Sequence, residues 1–215
     1  MRISEDRYSR DLRRIHLAQR MIRHEARTQW IRAWTGLSGE RVRNLFHSYE
    51  ESLEGARRRR GPSPRRIASY LRSPALRAEA SAAGGLACVL GVVPESPIRN
   101  AKKTLPSVES GERLCHAYEL YRQIVPEARL TMDQLIILVI ALSEQEDLEI
   151  AHCRNCNGAL LVDRLGASRR LCLACRQVAG QPSVNAAIHL EGIADASSED
   201  SDDPEPPAAY QQPLF

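Results

Sequence analysis

Four cysteines in the C-terminal third of the chain have the residue type and spacing to bind a metal ion. They form two C-x-x-C pairs, Cys153 with Cys156 and Cys172 with Cys175, and fifteen residues separate the pairs. A tight turn at each pair directs two thiolates to one point, so this spacing is typical of a structural zinc site with four sulfur ligands. Two disulfides or a redox-active dithiol are the alternative interpretations.

The ligand set also indicates what such a zinc ion would do. Four thiolates leave no open coordination position, whereas a catalytic zinc usually keeps one for water. We therefore predict one structural zinc ion per chain, stabilising a short hairpin that buries too little apolar surface to fold alone. The strands of this predicted zinc ribbon are residues 159–163 and 169–172. His152 is a further candidate ligand, although a lone histidine beside such a site is more often solvated.

Length and hydrophobicity favour a water-soluble protein of one or two domains. The chain has 215 residues, of which 43% are hydrophobic, and it begins Met-Arg-Ile-Ser-Glu-Asp without the apolar stretch of a signal peptide. The longest apolar run is residues 135–142, well short of the roughly 20 residues that a membrane span needs. We expect a cytoplasmic protein that makes no membrane contact.

The net charge of +3 conceals a strong asymmetry along the chain. Residues 177–215 contain seven acidic side chains and no Lys or Arg, so residues 1–176 carry +10 (+3 minus −7). The C-terminal part is rich in Ser and Pro and poor in bulky apolar groups, which predicts a disordered acidic tail. The remaining basic body suits a polyanionic partner.

Apolar periodicity predicts helices in the N-terminal part. Apolar residues recur every three or four positions from Ile15 to Trp34, which predicts one long amphipathic helix ending at Gly36. Ser38 then caps a second helix. Its apolar stripe comprises Val42, Leu45, Phe46, Tyr49 and Leu53.

Two helices joined by a short turn with glycine match the helix-turn-helix pattern. The outward face of the second helix would carry Glu40, Arg43, Asn44 and His47, with Arg41 nearby. Arg and Asn can read guanine and adenine edges in a major groove. The alternative is a plain helical hairpin that serves the core or a subunit contact.

The densest positive charge lies at Arg57, Arg58, Arg59 and Arg60, followed by Arg65 and Arg66. Arginines on a loop would contact phosphates and set affinity for nucleic acid rather than sequence choice. A solvated linker is the alternative interpretation.

The middle of the chain predicts further helices. Ser63-Pro64 and Ser73-Pro74 are typical helix starts, and Gly84-Gly85 would interrupt the second of these helices. Residues 94–110 predict a loop, and the next helix carries Leu114, Ala117, Tyr118 and Tyr121. A capping box, Thr131 to Gln134, introduces an apolar helix before the cysteines. We interpret Cys88 and Cys115 as buried small hydrophobes.

Together these patterns predict a mainly α-helical protein with a small β-hairpin. We expect four parts: an N-terminal helical hairpin (1–56), a basic linker and helical bundle (57–150), a four-cysteine zinc ribbon (151–178) and a disordered acidic tail (179–215). The chain has no phosphate-binding glycine loop, no Gly-x-Ser-x-Gly and no carboxylate pair near the cysteines. We therefore expect neither enzymatic activity nor a small-molecule substrate.

This combination of motifs resembles the flagellar transcriptional activator FlhC family, over roughly residues 12–176. The shared features are Ile15–Gln19, Glu25–Arg27 with Gln29, Leu37–Ser38 with Arg41 and Leu45, Ala117–Tyr121 with Pro126, the apolar helix after Thr131 and the four cysteines. Residues 57–110 match the family poorly, Asn157 replaces a glycine, and the acidic tail is an addition.

The resemblance implies a bacterial transcriptional activator subunit. Such a protein would bind zinc through the four cysteines, assemble with an FlhD-like subunit, bind promoter DNA and recruit RNA polymerase. The resemblance makes four aromatic residues candidate anchors for the second subunit: Trp30, Trp34, Phe46 and Tyr49. Its target genes would be flagellar or carried on mobile elements. Two alternatives remain: a zinc-containing adaptor in transcription that contacts only proteins, and an RNA-binding factor.

Overall fold

The structure is a computed structural model that describes residues 2–50, 73–125, 127–164 and 170–180, except for the side chains of residues 2–5, 49, 50, 179 and 180. Several predicted features lie outside these residues: the helix start at Ser63-Pro64, the acidic tail beyond residue 180, and six arginines, Arg57, Arg58, Arg59, Arg60, Arg65 and Arg66.

Three helices form the N-terminal part: α1 (Arg2–Arg23), α2 (Thr28–Thr35) and α3 (Gly39–Glu50). The prediction of one long helix from Ile15 to Trp34 is therefore wrong. The chain turns at Glu25, whose φ is +55°, and the N–H of Ala26 donates to the carbonyl of Met21. Both helices bury their apolar faces in one core, so the helical periodicity continues across the break.

The turn between α2 and α3 has the predicted form. Gly36 ends α2 in the left-handed conformation with φ +69°, which a side chain would disfavour. Ser38 Oγ accepts a hydrogen bond from the N–H of Arg41 at 3.2 Å and caps α3. Val42 and Phe46 of α3 are buried.

Four helices follow: α4 (Pro74–Val89), α5 (Ala101–Thr104), α6 (Val108–Ile124) and α7 (Met132–Glu144). The predicted start of α4 and the capping box of α7 are both confirmed. Ser73 Oγ accepts from the N–H of Leu76, and Thr131 and Gln134 bond reciprocally at the start of α7. The predicted loop 94–110 contains α5 and the start of α6.

Helices α6 and α7 contribute many of the most buried side chains of the core. The predicted apolar face of α6 is confirmed, because Leu114, Ala117, Tyr118 and Tyr121 are all buried. Cys115 is fully buried and Cys88 partly so. The largest fully buried side chains come from α1, α2, α6, α7 and the residue before Thr131: Leu17, Met21, Ile22, Ile31, Trp34, Leu114, Tyr121, Leu130, Met132, Leu135 and Ile136.

A polar cluster fastens α1 to α6. Arg20 donates two hydrogen bonds to the Glu119 carboxylate, at 2.7 and 2.5 Å, and His24 Nε2 lies 2.8 Å from Glu119 Oε1. The Arg20 hydrogen bond, with a further contribution from His24, lowers the pKa of Glu119 to about 2. Burial lowers the pKa of His24 despite its acidic neighbour.

After α7 the chain forms a two-stranded antiparallel hairpin, β1 (Leu148–His152) and β2 (Ala159–Asp163), and ends its described part in α8 (Leu173–Gly180). The predicted strand 159–163 is confirmed, but its partner is β1 and not residues 169–172. Residues 170–172 are irregular, and residue 169 lies outside the described part. β1 follows α7 directly, and its buried Leu148 joins the main core.

Helix α4 packs against the hairpin through its glycines. Gly84 and Gly85 do not interrupt α4, so that prediction is wrong. A Cβ at Gly85 would lie 2.8 Å from Ala159 Cβ, and one at Gly84 would lie 2.9 Å from Ile150 Cδ1. The two glycines therefore permit a close approach of helix to hairpin.

The outer edge of β2 is closed by two polar side chains of α4. The N–H of Leu161 donates to Ser81 Oγ at 2.8 Å, and Arg77 Nε donates to the Leu161 carbonyl at 3.0 Å. These bonds satisfy the backbone N–H and carbonyl of Leu161 at the edge of the sheet. An unpaired strand edge is a site where another chain can add. In the described part of the chain, no helix has both the length and the apolar character required to cross a membrane.

Candidate metal centre

The hairpin and α8 together position the four cysteines. Cys153 and Cys156 lie in the loop that joins β1 to β2, Cys172 precedes α8, and Cys175 lies in the first turn of α8. The N–H of Arg154 donates to the carbonyl of Arg170 at 2.9 Å and holds the two segments together. The hairpin loop thus carries one C-x-x-C pair and the start of α8 carries the other.

The four sulfur atoms converge as the sequence predicted. All four Sγ atoms lie within 4.8 Å of one another, and those of Cys156 and Cys172 are 3.7 Å apart. A zinc tetrahedron with Zn–S bonds of about 2.3 Å has sulfur atoms roughly 3.8 Å apart. Neither pair forms a disulfide. The cluster therefore has the dimensions of a site for a single metal ion.

Backbone hydrogen bonds reach the sulfur atoms, and they favour the ionised form of one ligand, Cys153. Cys153 Sγ accepts from the N–H of Cys172 at 3.3 Å, and Cys172 Sγ accepts from the N–H of Cys175 at 3.4 Å. The backbone N–H of Cys172, followed by those of Cys156 and Asn155, lowers the pKa of Cys153 to about 6. Cys153 is thus prepared to bind a metal ion as a thiolate.

The pKa of Cys175 is raised, and its causes indicate the charge that the site needs. The side-chain amide of Asn155, 3.3 Å from Cys175 Sγ, lowers the pKa of Cys175. The neighbouring cysteines outweigh this effect and raise that pKa to about 12. Four thiolates this close are compatible only when a cation offsets their repulsion, so the donor set fits a bound metal ion.

The loop geometry explains two neighbouring residues. Asn157 has a φ of +58°, and its N–H donates to the carbonyl of Cys153 at 2.9 Å. Asparagine tolerates this left-handed conformation better than most residues, as a glycine would. His152 Nδ1 lies 3.1 Å from the Asn157 carbonyl, and His152 is exposed and not among the clustered ligands.

The predicted DNA-reading residues form an exposed face of α3. Arg41, Arg43 and Asn44 are all exposed. Arg41 donates a hydrogen bond to Asp11 of α1 at 2.9 Å. This contact places the polar face of α3 beside α1.

Helix α1 carries an arginine cluster that the sequence analysis missed. Arg7, Arg10 and Arg14 line a shallow surface depression of about 350 Å³ together with Asp11. Asp11 also pairs with Arg41, and Asp6 pairs with Arg10. The guanidinium groups of four arginines therefore lie around two carboxylates. The sequence does carry a signal for this cluster, because arginines spaced at i, i+3 and i+7 lie on one face of a helix.

The predicted subunit anchors are wrong for three of the four aromatic residues. Trp30, Trp34 and Phe46 are 6%, 1% and 5% exposed, because they pack in the chain's own core. The side chain of Tyr49 lies outside the described residues. Among the described side chains of the N-terminal helices, the large apolar residues that are exposed are instead Tyr8 and Leu12 on α1, at 70% and 38%.

Comparison with known proteins identifies no family for the chain. No protein-family model matches the sequence, and no curated protein matches it.

Proposed function

We propose that this chain is a zinc-containing DNA-binding subunit of a bacterial transcriptional activator, similar to the FlhC family. The observation that carries the proposal is the contact between Arg41 and Asp11, which brings the polar face of α3 next to the arginine cluster of α1. In DNA recognition, some side chains contact base edges and others bind phosphates, and this face of α3 and the arginine cluster of α1 offer both kinds of group. The protein acts in the bacterial cytoplasm.

The metal is zinc, and its role is structural. Four thiolates in a tetrahedral arrangement favour zinc or iron–sulfur chemistry over hard cations such as magnesium. With all four positions occupied by sulfur, the ion fastens the β1–β2 loop to the start of α8. Loss of the ion would release α8 from the β1–β2 loop.

DNA is held by two classes of contact. Arg43 and Asn44 on α3 approach base edges, where Arg pairs with guanine and Asn with adenine. Arg7, Arg10 and Arg14 bind phosphates, joined by the arginines between residues 57 and 66. The second class supplies affinity for any sequence, and the first supplies sequence choice.

The DNA-binding species is a hetero-oligomer with an FlhD-like subunit, which then recruits RNA polymerase. We assign the partner contact to Tyr8 and Leu12, two exposed apolar residues that lie one turn apart on α1. This pair also favours the second candidate function, an adaptor that contacts only proteins.

Fluorescence anisotropy separates the two functions. The chain is co-expressed with an FlhD-like protein and titrated onto duplex DNA and onto RNA of the same sequence across a salt series. A DNA-binding subunit loses affinity steeply as salt rises and prefers duplex DNA. An adaptor co-purifies with the partner and binds neither nucleic acid, and a preference for RNA would contradict both functions.

A further inference from the structure

A groove of about 540 Å³ lies between α4, the start of β2 and α8. Its lining is mainly apolar, with Ala78 and Ala82 from α4, Leu160 from β2 and Leu173 from α8. Leu173 is 40% exposed, so part of this apolar lining is open to a ligand. Sites for small molecules enclose roughly 300–1,000 Å³ and are lined mostly by apolar groups. The groove therefore has the size and the surface of a small-molecule site.

Arg77 places a positive charge within this apolar lining. Its Nε donates to the Leu161 carbonyl at 3.0 Å, which fixes the guanidinium at the groove. In the described part of the chain, neither a hydrogen bond nor an ion pair reaches the Nη groups of Arg77. A guanidinium with its Nη groups in this state offers two parallel donors, the geometry that a carboxylate accepts.

The charges around the groove favour an anion and indicate where its charge would lie. The lining includes Arg77 and Arg176 and no acidic residue. Pro74, in the first turn of α4, also lines the groove, so the positive end of that helix adds to the charge of Arg77. Cys172 lines the opposite wall, where the thiolates around a bound zinc ion leave net negative charge. An anionic group is therefore favoured beside Arg77, on the α4 wall.

We propose that the groove binds a small amphiphilic carboxylate, in which a single alkyl chain ends in the charged group. The Nη groups of Arg77 donate to the carboxylate, and the alkyl chain packs on Ala78, Ala82 and Leu160. Because α4 presents alanines to the groove, a narrow chain fits along the helix. The ligand is a free molecule from solution, since its chain lies between two helices. The site uses no residue of α1 or α3, and the inference does not depend on DNA binding.

An NMR titration of the full-length, zinc-loaded protein with octanoate tests the proposal. Three related ligands each change one feature: 1-octanol lacks the charge, octylammonium reverses it, and acetate lacks the alkyl chain. Octanoate should shift the amide signals of residues 77–82 and 173–177, which surround the groove. It should bind about tenfold more tightly than 1-octanol, the difference that a hydrogen-bonded charge contributes, and more tightly still than octylammonium. Acetate should cause no shift at the same concentration, because it buries no chain.

Each of three results in this ligand series would overturn the proposal. The first is the absence of shifts with octanoate, or shifts confined to other parts of the protein. The second is equal affinity for octanoate and 1-octanol, which would remove the role of Arg77. The third is equal affinity for octanoate and acetate, which would leave a site for small anions without an apolar part.

Two variants and a matched control locate the ligand. Ala78→Phe fills the groove, and Ala75→Phe makes the same change at an exposed position of α4 that does not line it. Ala78→Phe should abolish binding of octanoate and 1-octanol, whereas Ala75→Phe should leave both unchanged. Arg77→Gln removes the charge but keeps a donor for the Leu161 carbonyl. It should weaken octanoate about tenfold and leave 1-octanol unchanged.

The amide spectrum and zinc content of each variant show whether it is folded, and the ligand series on the unsubstituted protein decides the question if a variant is not. Octanoate binding that survives Ala78→Phe would place the ligand outside the groove and overturn the proposal. Octanoate affinity unchanged by Arg77→Gln would also overturn it, because the carboxylate would then have another partner.

Discussion

The carboxylate of Asp133 accepts hydrogen bonds from both the backbone N–H and the guanidinium of Arg27, at 3.1 and 2.7 Å. The two residues are 106 positions apart in the chain. Arg27 precedes α2, so the Asp133 carboxylate accepts a hydrogen bond from the backbone at the start of that helix. Asp133 itself lies in the first turn of α7, where the helix dipole favours a negative charge. This pair connects the N-terminal helices to the helix that leads to the metal centre.

Replacing Asp133 by Asn should destabilise the protein strongly. Asp133 is 2% exposed, and the substitution removes the negative charge that faces the partly buried Arg27 guanidinium. Breaking a buried pair in this way costs about 3 kcal/mol. Asp11→Asn is the matched control, because its pair with Arg41 is exposed and contributes less than about 1 kcal/mol. Urea denaturation measures both, and equal effects would contradict the importance assigned to the buried pair.

Gly85→Ala should destabilise the protein, although alanine normally favours a helix over glycine. The added Cβ would lie 2.8 Å from Ala159 Cβ, which is fixed to the backbone of β2. Overpacking of this kind costs about 1–3 kcal/mol. Gly39→Ala in α3 is the control, since its Cβ would meet nothing nearer than 3.7 Å. A lower thermal midpoint is expected for Gly85→Ala alone; an unchanged midpoint would show that α4 can move away from the hairpin.

His24→Gln should reduce the loss of stability that occurs in mild acid. Burial lowers the pKa of His24 in the folded protein, so the unfolded chain binds its proton more readily. Stability is therefore lost as the pH falls below the unfolded value of about 6.5. The free energy of unfolding is measured at pH 7.5 and at pH 5.5 for the variant and for the unsubstituted protein. Any loss of metal in acid affects both proteins equally, so the difference between them reports on His24. Identical slopes would contradict the prediction.

Glu119→Gln should remove a second pH dependence, at lower pH. Hydrogen bonds from Arg20 hold the pKa of Glu119 at about 2, below its usual value of 4.5. Stability from this carboxylate is present above pH 4.5 and is lost as the pH falls toward 2. Because Glu119 is 32% exposed, screening limits the effect to about 1 kcal/mol. Acid titration of the unfolding midpoint should be flatter in the variant below pH 4.5; a curve as steep as that of the unsubstituted protein would contradict the assignment.

Cysteine substitution should show that the cluster binds one metal ion. The protein is expected to contain one zinc ion per chain, and the double Cys156→Ser, Cys172→Ser variant to contain none and to lose solubility. Cys88→Ser is the control outside the cluster and should keep the ion. Elemental analysis of the purified proteins provides the measurement. Stoichiometric zinc in the double variant would rule out the four-thiolate site.

Local signals in the sequence predicted much of this fold correctly. Gly36, Ser38, Ser73 and Thr131 each control a helix end through bonds to their own neighbours, so their roles can be read from a few residues. The cysteine spacing predicted the cluster for the same reason. The mainly helical class with a small hairpin is confirmed.

The errors arose where distant packing decides the structure. The break near Glu25 leaves the apolar period intact, and the partner of β2 is chosen by the position of β1 after α7. The role of Gly85 depends on Ala159, more than seventy residues later. The helix-turn-helix character of α2 and α3 stays a prediction, as do the roles of the arginines between residues 57 and 66.

DNA affinity of two arginine variants tests the central claim most directly. The complex with an FlhD-like subunit is titrated onto a duplex selected from a random library and onto random duplex, at several salt concentrations. Arg43→Ala with Asn44→Ala should weaken selected DNA by at least about tenfold and leave random DNA nearly unchanged. Arg10→Ala with Arg14→Ala should weaken both equally and lower the salt slope by roughly one unit per lost contact. The account is contradicted if the complex binds neither duplex. It is also contradicted if both variants bind both duplexes as tightly as the unsubstituted complex does.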